Sequence, residues 1–295
     1  MYELIQVANN SYYVNCPAKI GIYRNDDNSV YLIDSGNDKE AGRKLRQILD
    51  KNRWTLKAIL NTHSNADHIG GNKYLQTQTG CKIFAPGIEA AFTKHPVLEP
   101  SFLYGGYPCK DLRHKFLLAQ ESECEDISSP DFPAEIDIIP LPGHFFHMAG
   151  YRMPDGVTYM ADCVSGAETL EKYQIGYVYN VEKYLETLDI IETLEAPIFI
   201  PSHTEPVNDM RELAELNRKK VLEIIDKVLE ICEEPICFEG ILKRVFDDYN
   251  LVMNFQQHAL IGSTIRGYLS YLKDKGRIDI KIDNNVLLWV RSDLV

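Results

Sequence analysis

The sequence predicts an α/β (α+β) protein in which sheets are covered by helices. Three observations carry that expectation. The first 36 residues read as strands alone, YELIQV, SYYVNC, KIGIYR and SVYLIDSG, with the turn signal NDDN between the last two. Beyond them, the short apolar strands LKAIL, KIFAP, IDIIPLPG, VTYMAD and PIFIPSH alternate with segments of helical spacing. The last sixty residues change again, from helices to a hairpin. Strands that cluster first and then alternate with helices fit layered sheets better than a TIM barrel.

The helices follow from their periodicity. Residues 39–52, KEAGRKLRQILDKN, place Leu45 and Ile48 on one face, and VEKYLETLDIIETLE covers 181–195. Residues 208–234 read as one long helix with a stripe that includes Met210, Leu213, Val221, Ile224, Val228 and Leu229. CFEGILKRVFDDY gives a further helix, NFQQHALIGSTIRGYLSYLKDKG one or two more, and RIDIKI-DNN-VLLWV a hairpin. Residues 87–130 interrupt the pattern with two helices around a YGGY turn at 104–107. This is an insertion that either overhangs a site or packs as a surface excursion. The expected organisation is a main domain over 1–207, a connecting helix over 208–235 and a small α+β domain over 236–295.

Composition narrows the function. A 295-residue chain with 45% apolar and 25% charged residues is an ordinary globular protein. Its net charge of −12 argues against general attraction to nucleic acid or anionic membrane. No apolar run approaches the roughly 18 residues that cross a bilayer, and MYELIQVANNSYYV has no basic segment before an apolar one, so no signal peptide is expected. The seven cysteines (16, 81, 109, 124, 163, 232 and 237) are odd in number and without a CxxC pair. Reduced thiols in a cytoplasmic protein are the expectation. Cys163 follows Asp162 on a strand and therefore points to the opposite face.

The chemistry concentrates at NTHSNADHIGG, residues 61–71. His63 and Asn65 are two apart, so they share a face in an extended segment. Asp67 and His68 follow where the chain turns into the helix GGNKYLQTQ. His144, Asp162 and His203 each sit just past or at the end of a short apolar strand. Strand ends lie on one rim of a sheet, so four distant segments can bring four histidines and two aspartates together. Neutral imidazole and carboxylate are ligands for zinc and for non-haem iron. A bound metal brings the pKa of its water to about 7.

These motifs are ordered as HSNADH at 63–68, LPGH at 141–144, MAD at 160–162 and PSH at 201–203, with LIDSG around Asp34. Over roughly residues 10–205 the chain resembles metallo-β-lactamase-fold hydrolases, the superfamily that includes glyoxalase II. The resemblance implies an αββα sandwich. It implies one metal site of His63, residue 65 and His144, a second of Asp67, His68 and His203, Asp162 bridging the two, and Asp34 orienting ligands from behind. Asn65 is a departure, since it stands where the family has an imidazole, and an amide oxygen is a poorer zinc ligand. The first site is therefore expected to be weak, vacant or filled by another metal. Ala161 replaces the glycine that usually precedes the bridging aspartate. In LPGHFFHMAGY it is Met148, not His147, that falls on the family's second histidine. The tail is similar to the winged-helix module of some members. Its GSTIRGY helix at 262–268 carries only Arg266 among its early residues, so packing or homodimerisation is the expected role rather than nucleic-acid binding.

Three functions follow from the resemblance. The first is hydrolysis of a small ester, thioester or related substrate by metal-bound hydroxide, with one or two zinc ions per chain (iron or manganese as alternatives) and Asp67 orienting the nucleophile. The second is a mononuclear iron dioxygenase acting on a thiol or persulfide through His63, His144 and Asp162. The third is a non-catalytic metal- or ligand-binding protein.

Overall fold

The computed structural model describes residues 2–292. Its first sheet has seven strands in sequence order: β1 (Glu3–Gln6), β2 (Ser11–Asn15), β3 (Ile20–Arg24), β4 (Ser29–Ile33), β5 (Thr55–Leu60), β6 (Lys82–Ala85) and β7 (Glu125–Asp126). β1 to β4 form an antiparallel meander, and β4 to β7 pair in parallel. The second sheet has the order β11-β10-β9-β8, from β8 (Asp137–Pro140), β9 (Ala149–Arg152), β10 (Thr158–Ser165) and β11 (Phe199–His203).

The period of two along the strands builds the layers. Val14, Ile22, Val30 and Leu32 face outward and pack with Leu45 and Leu49 of α1 (Lys39–Asn52) and Leu75 of α3 (Asn72–Thr79). Their neighbours Tyr13, Tyr23, Tyr31 and Ile33 face inward and meet Tyr151, Tyr159 and Ile200 of the second sheet. Gly21 permits the close approach, since a Cβ there would stand 2.4 Å from the Tyr159 ring. The Tyr159 hydroxyl donates to the Tyr12 carbonyl at 2.7 Å, so its buried polar end is satisfied. On the far side, Met160 and Val164 of β10 pack with Val181 and Leu188 of α7 (Val181–Ile191) and Ile224 and Val228 of α8 (Arg211–Ile231). The result is an αββα sandwich. Cys163 lies in this outer cluster together with its neighbour Val164, which strict alternation would not allow; the pairing of β10 with β11 shifts register on both sides of Ala161.

Helix ends follow local chemistry. Asp38 caps α1 by accepting from Ala41 N at 3.0 Å, and Asn180 caps α7 by accepting from Lys183 N at 3.1 Å. The α7 helix stops at Ile191, short of the residue 195 that periodicity suggests. There the Thr193 hydroxyl takes the Ile190 carbonyl, and the chain turns toward β11.

The insertion forms α4 (Ile88–Lys94), α5 (Leu98–Tyr104) and a short 3-10 turn at Lys110–Leu112. Two short helices, α2 (Ala66–Ile69) and α6 (Ala167–Tyr173), had no separate sequence signal. The tail comprises α9 (Phe238–Asp248), α10 (Phe255–Asp274) and the hairpin of β12 (Ile278–Asp283) with β13 (Val286–Arg291). Thus NFQQHALIGSTIRGYLSYLKDKG forms a single helix, capped by Asn254 accepting from Gln257 N at 2.9 Å. Ile241, Leu242, Ile265 and Leu269 of the tail share one buried cluster with Met160 and Val164. Asn217 of α8 clamps the end of β10, accepting from Ser165 N at 3.0 Å and donating to Ser165 O at 2.9 Å. Among the described residues, no helix is long and apolar enough to cross a membrane.

Candidate metal centre

The loops at the carboxyl ends of β4, β5, β10 and β11, with the turn after β8, meet on one rim. Carboxyl ends of strands are where open sheets assemble their sites. Asp34 leaves β4 at φ +65°, a left-handed conformation that aspartate and asparagine tolerate best among residues with a Cβ. Its Oδ1 accepts from Thr62 N at 2.8 Å. Its Oδ2 accepts from the Thr62 hydroxyl and from His68 Nδ1, each at 2.8 Å. Asp34 therefore holds the start of the 61–71 loop by both oxygens.

His144 enters from a turn that only glycine fits. Gly143 has φ +120°, and a Cβ there would lie 2.2 Å from Tyr184 N. The Gly143 carbonyl accepts from Tyr179 N and Asn180 N, tying the turn to the start of α7. Asp162 sits in an irregular stretch of β10. The pairing register with β11 shifts on both sides of Ala161, whose φ is +52°. That distortion turns Asp162 toward the rim, and Ala161 adopts there the backbone conformation that suits the glycine usual in similar chains.

The six titratable candidates assemble as two groups, His63 with His144 and Asp162, and Asp67 with His68 and His203. Within each group the donor atoms lie within 4.8 Å of one another. Asp162 spans the two: its Oδ1 is 3.3 Å from His68 Nε2, and its Oδ2 is 3.0 Å from His203 Nε2 and 3.6 Å from His144 Nε2. Asp67 Oδ2 is 3.7 Å from both His68 Nε2 and His203 Nε2. His63 and His68 are fully buried, whereas the side chains of His203 and Asp67 are 28% and 41% exposed. The centre therefore opens to solvent on the Asp67–His203 side.

All four imidazoles are held by Nδ1. His68 meets Asp34; His144 meets the Tyr177 carbonyl and His203 the Pro17 carbonyl, each at 3.0 Å. These partners only accept, so each Nδ1 carries the proton. His63 Nδ1 is 2.9 Å from the Thr62 hydroxyl, whose own hydrogen is committed to Asp34, so His63 also donates. In the neutral rings every Nε2 is then a free lone pair aimed inward. His63 Nε2, His68 Nε2 and Asp162 Oδ1 are buried and have no hydrogen-bond partner among the described residues. Three orphaned donors facing one centre, each of a type that ligates divalent metals, fit a bound cation.

The electrostatics agree. Burial, with His68 beside it, holds His63 well below the usual imidazole range. Burial likewise lowers His144. At His68 burial opposes charge, but Asp162, Asp67 and Asp34 outweigh it and push the ring well up. At His203 burial is outweighed by Asp162 and Asp67, and the ring rises to about 8. Burial would raise Asp162, but His203 and His68 hold it well below the ordinary carboxylate range. A concentration of negative charge that draws protons onto two rings is one that a dication can occupy instead.

Asn65 departs from this design. Its Nδ2 donates to Glu99 Oε1 of α5 at 2.9 Å. Glu99 is 4% exposed, and burial pushes its carboxyl well up. A second buried acid, Glu89 of α4, accepts from Ser64 N, the Ser64 hydroxyl and His147 N. Burial raises Glu89 to about 7. The insertion thus braces the loop that carries His63 and Asn65. Neither glutamate had a sequence signal, because a glutamate in a short helix ordinarily reads as a solvated residue. The His147 side chain is exposed beside Ile88 N and is not among the donor groups.

A family profile described as the metallo-beta-lactamase superfamily matches residues 10–203. The chain is 35% identical over 81 residues to a hydroxyacylglutathione hydrolase of Methylococcus capsulatus, covering 22% of this chain and 32% of that protein. It is 28% identical over 149 residues to a hydroxyacylglutathione hydrolase of Methylobacillus flagellatus, covering 48% and 49%. It thus spans half or less of the length of these curated relatives. Among solved structures it is similar to a beta-lactamase domain protein from Burkholderia ambifaria, with TM-score 0.74 and 19% identity over 98% of this chain and 94% of that one. A metallo-beta-lactamase family protein from Thermus thermophilus matches with TM-score 0.68 and 17% identity over 98% and 97%. The ordered motifs, the paired sheets and the profile match across most of the chain agree: this protein belongs to the metallo-beta-lactamase superfamily.

Proposed function

We propose that the protein is a zinc-dependent hydrolase of small esters or thioesters. The observation that carries this reading is the pair of donor groups bridged by Asp162, with inward-facing orphaned atoms on His63, His68 and Asp162. His63, His144 and Asp162 would hold one ion, and Asp67, His68 and His203 the other. A bound divalent metal supplies hydroxide at neutral pH and polarises the carbonyl oxygen under attack. The residues do the rest. Asp67, on the open side, accepts a hydrogen bond from the attacking water and fixes its direction. Asp162 keeps the two halves in register, and Asp34 holds the Nδ1 protons so that Nε2 remains available. Asn65 leaves the first group one imidazole short, so tight binding is expected at the second. The matched hydroxyacylglutathione hydrolases favour a thioester among the candidate substrates.

The His63–His144–Asp162 group also has the two-histidine, one-carboxylate composition that suits iron(II). Metal analysis of protein purified without added metal separates the two. About one zinc per chain, lost in Asp67→Ala or His203→Ala, is the expected result. One iron per chain, lost in His63→Ala instead, would replace the hydrolase reading with an oxygenase.

A further inference from the structure

Beside the metal centre, a cavity of about 720 Å³ runs beneath the C-terminal tail. That volume is in the range of small-ligand sites. His144, Asp162 and His203 line one part of it. The tail helix α10 contributes Gln257, Leu260, Ile261 and Tyr268. Offsets of three, four and eleven residues place these on one face of the helix, over a length of about 16 Å. From α8, Val221 and Ile224 face the same space. The result is an apolar trough that opens on the donor groups.

The trough is not wholly apolar: Glu168, Lys172 and Lys220 also border it. Lys220 Nζ is bonded to Gln174 Oε1 at 3.2 Å and to Glu223 Oε1 at 2.9 Å, and Lys172 Nζ lies 4.7 Å from the centre of the Tyr173 ring. The apolar side chains of Leu170, Ile175, Val178, Val221, Ile224 and Ile261 outweigh these and suit the apolar chain of a substrate.

We infer that this trough seats the acyl part of the substrate, a medium-length apolar chain. The inference rests on the hydrolase reading and adds the substrate class to it. The water oxygen bonds to the acyl carbon as the carbon–oxygen or carbon–sulfur bond breaks. The acyl part leaves as a carboxylic acid, and the alcohol or thiol takes the remaining proton.

The test uses the zinc-loaded full chain with p-nitrophenyl acetate and p-nitrophenyl octanoate, and measures octanoic acid binding separately by calorimetry. The wild type should favour the octanoate at least tenfold in kcat/KM. Ile261→Trp fills the trough and should cut the octanoate-to-acetate ratio at least tenfold and abolish octanoic acid binding. Val221→Phe, from the opposite wall, gives the same test if the first variant does not fold. Acetate hydrolysis with no chain-length preference and no octanoic acid binding would overturn the inference and leave the hydrolase reading standing. Octanoic acid binding lost in Ile261→Trp, without hydrolysis of either ester, would keep the trough and overturn the hydrolase. Neither binding nor hydrolysis would overturn both.

Discussion

Asp34→Asn is the substitution that most directly examines how the centre is organised. Asparagine fits the same space and tolerates φ +65°, so the backbone should not respond. What changes is the direction of the hydrogen bonds. If the amide oxygen keeps the bond from Thr62 N, the amide nitrogen replaces Oδ2, which now accepts from both the Thr62 hydroxyl and His68 Nδ1. An N–H there cannot face another N–H. His68 must then present a lone pair at Nδ1 and carry its proton on Nε2. The Thr62 hydroxyl, no longer able to donate to residue 34, turns its hydrogen to His63 Nδ1, 2.9 Å away, and drives that proton to Nε2 as well. One isosteric change thereby masks one ligand in each donor group. Loss of a single supporting partner typically lowers metal affinity about 10–100-fold. With two rings affected, a loss near or above about 100-fold, or roughly 2.7 kcal/mol, is expected. Zinc titration against a competing chelator at pH 7 measures it, with circular dichroism confirming the fold. Wild-type affinity in Asp34→Asn would refute the argument that Asp34 sets the tautomers of His63 and His68.

Other consequences are as concrete. Asn65→His should raise bound metal toward two per chain, because Glu99 already stands where it can accept the new Nδ1 proton; unchanged stoichiometry would mean that residue 65 does not face the metals. Glu89, ordinarily near 4.5, is raised to about 7 by burial, so the folded state holds its proton more tightly than the unfolded one. Its contribution to stability is complete below about pH 4.5 and declines as pH rises toward 7. Denaturation at pH 5 and pH 8 should therefore show a larger loss in the wild type than in Glu89→Gln, and parallel losses would contradict the assignment. Gly143→Ala should destabilise the fold by about 2 kcal/mol or more, since the new Cβ would meet the α7 backbone at 2.2 Å. A melting curve equal to wild type would show that the turn can relax.

The sandwich was legible because its strands alternate so regularly. In β3 and β4 the outward Ile22, Val30 and Leu32 are followed in turn by the inward Tyr23, Tyr31 and Ile33, and a one-residue slip would exchange the two sets. The convergence of His63, Asp67, His68, His144, Asp162 and His203 was legible for a related reason: each follows or ends an apolar run, and such runs finish on a common rim. Apart from Asp34, what the sequence concealed is the support behind the ligands. Thr62, Tyr177 and Pro17 act through a hydroxyl or a main-chain carbonyl, which is independent of residue pattern or available at any residue. Glu89 and Glu99 are hidden differently, because burial of an acid depends on what the insertion packs against and not on its own spacing. The distortion at Ala161 was anticipated only as a missing glycine.

The Asn217 clamp on Ser165 ties the fate of the tail to that of Asp162. Both bonds grip the strand three residues beyond the bridging carboxylate, from a helix whose other contacts include α9 and α10. A cut placed after residue 207 would therefore not release a smaller working unit. It would strip the outer cover from β10 and loosen Asp162, whose carboxylate lies between the two donor groups.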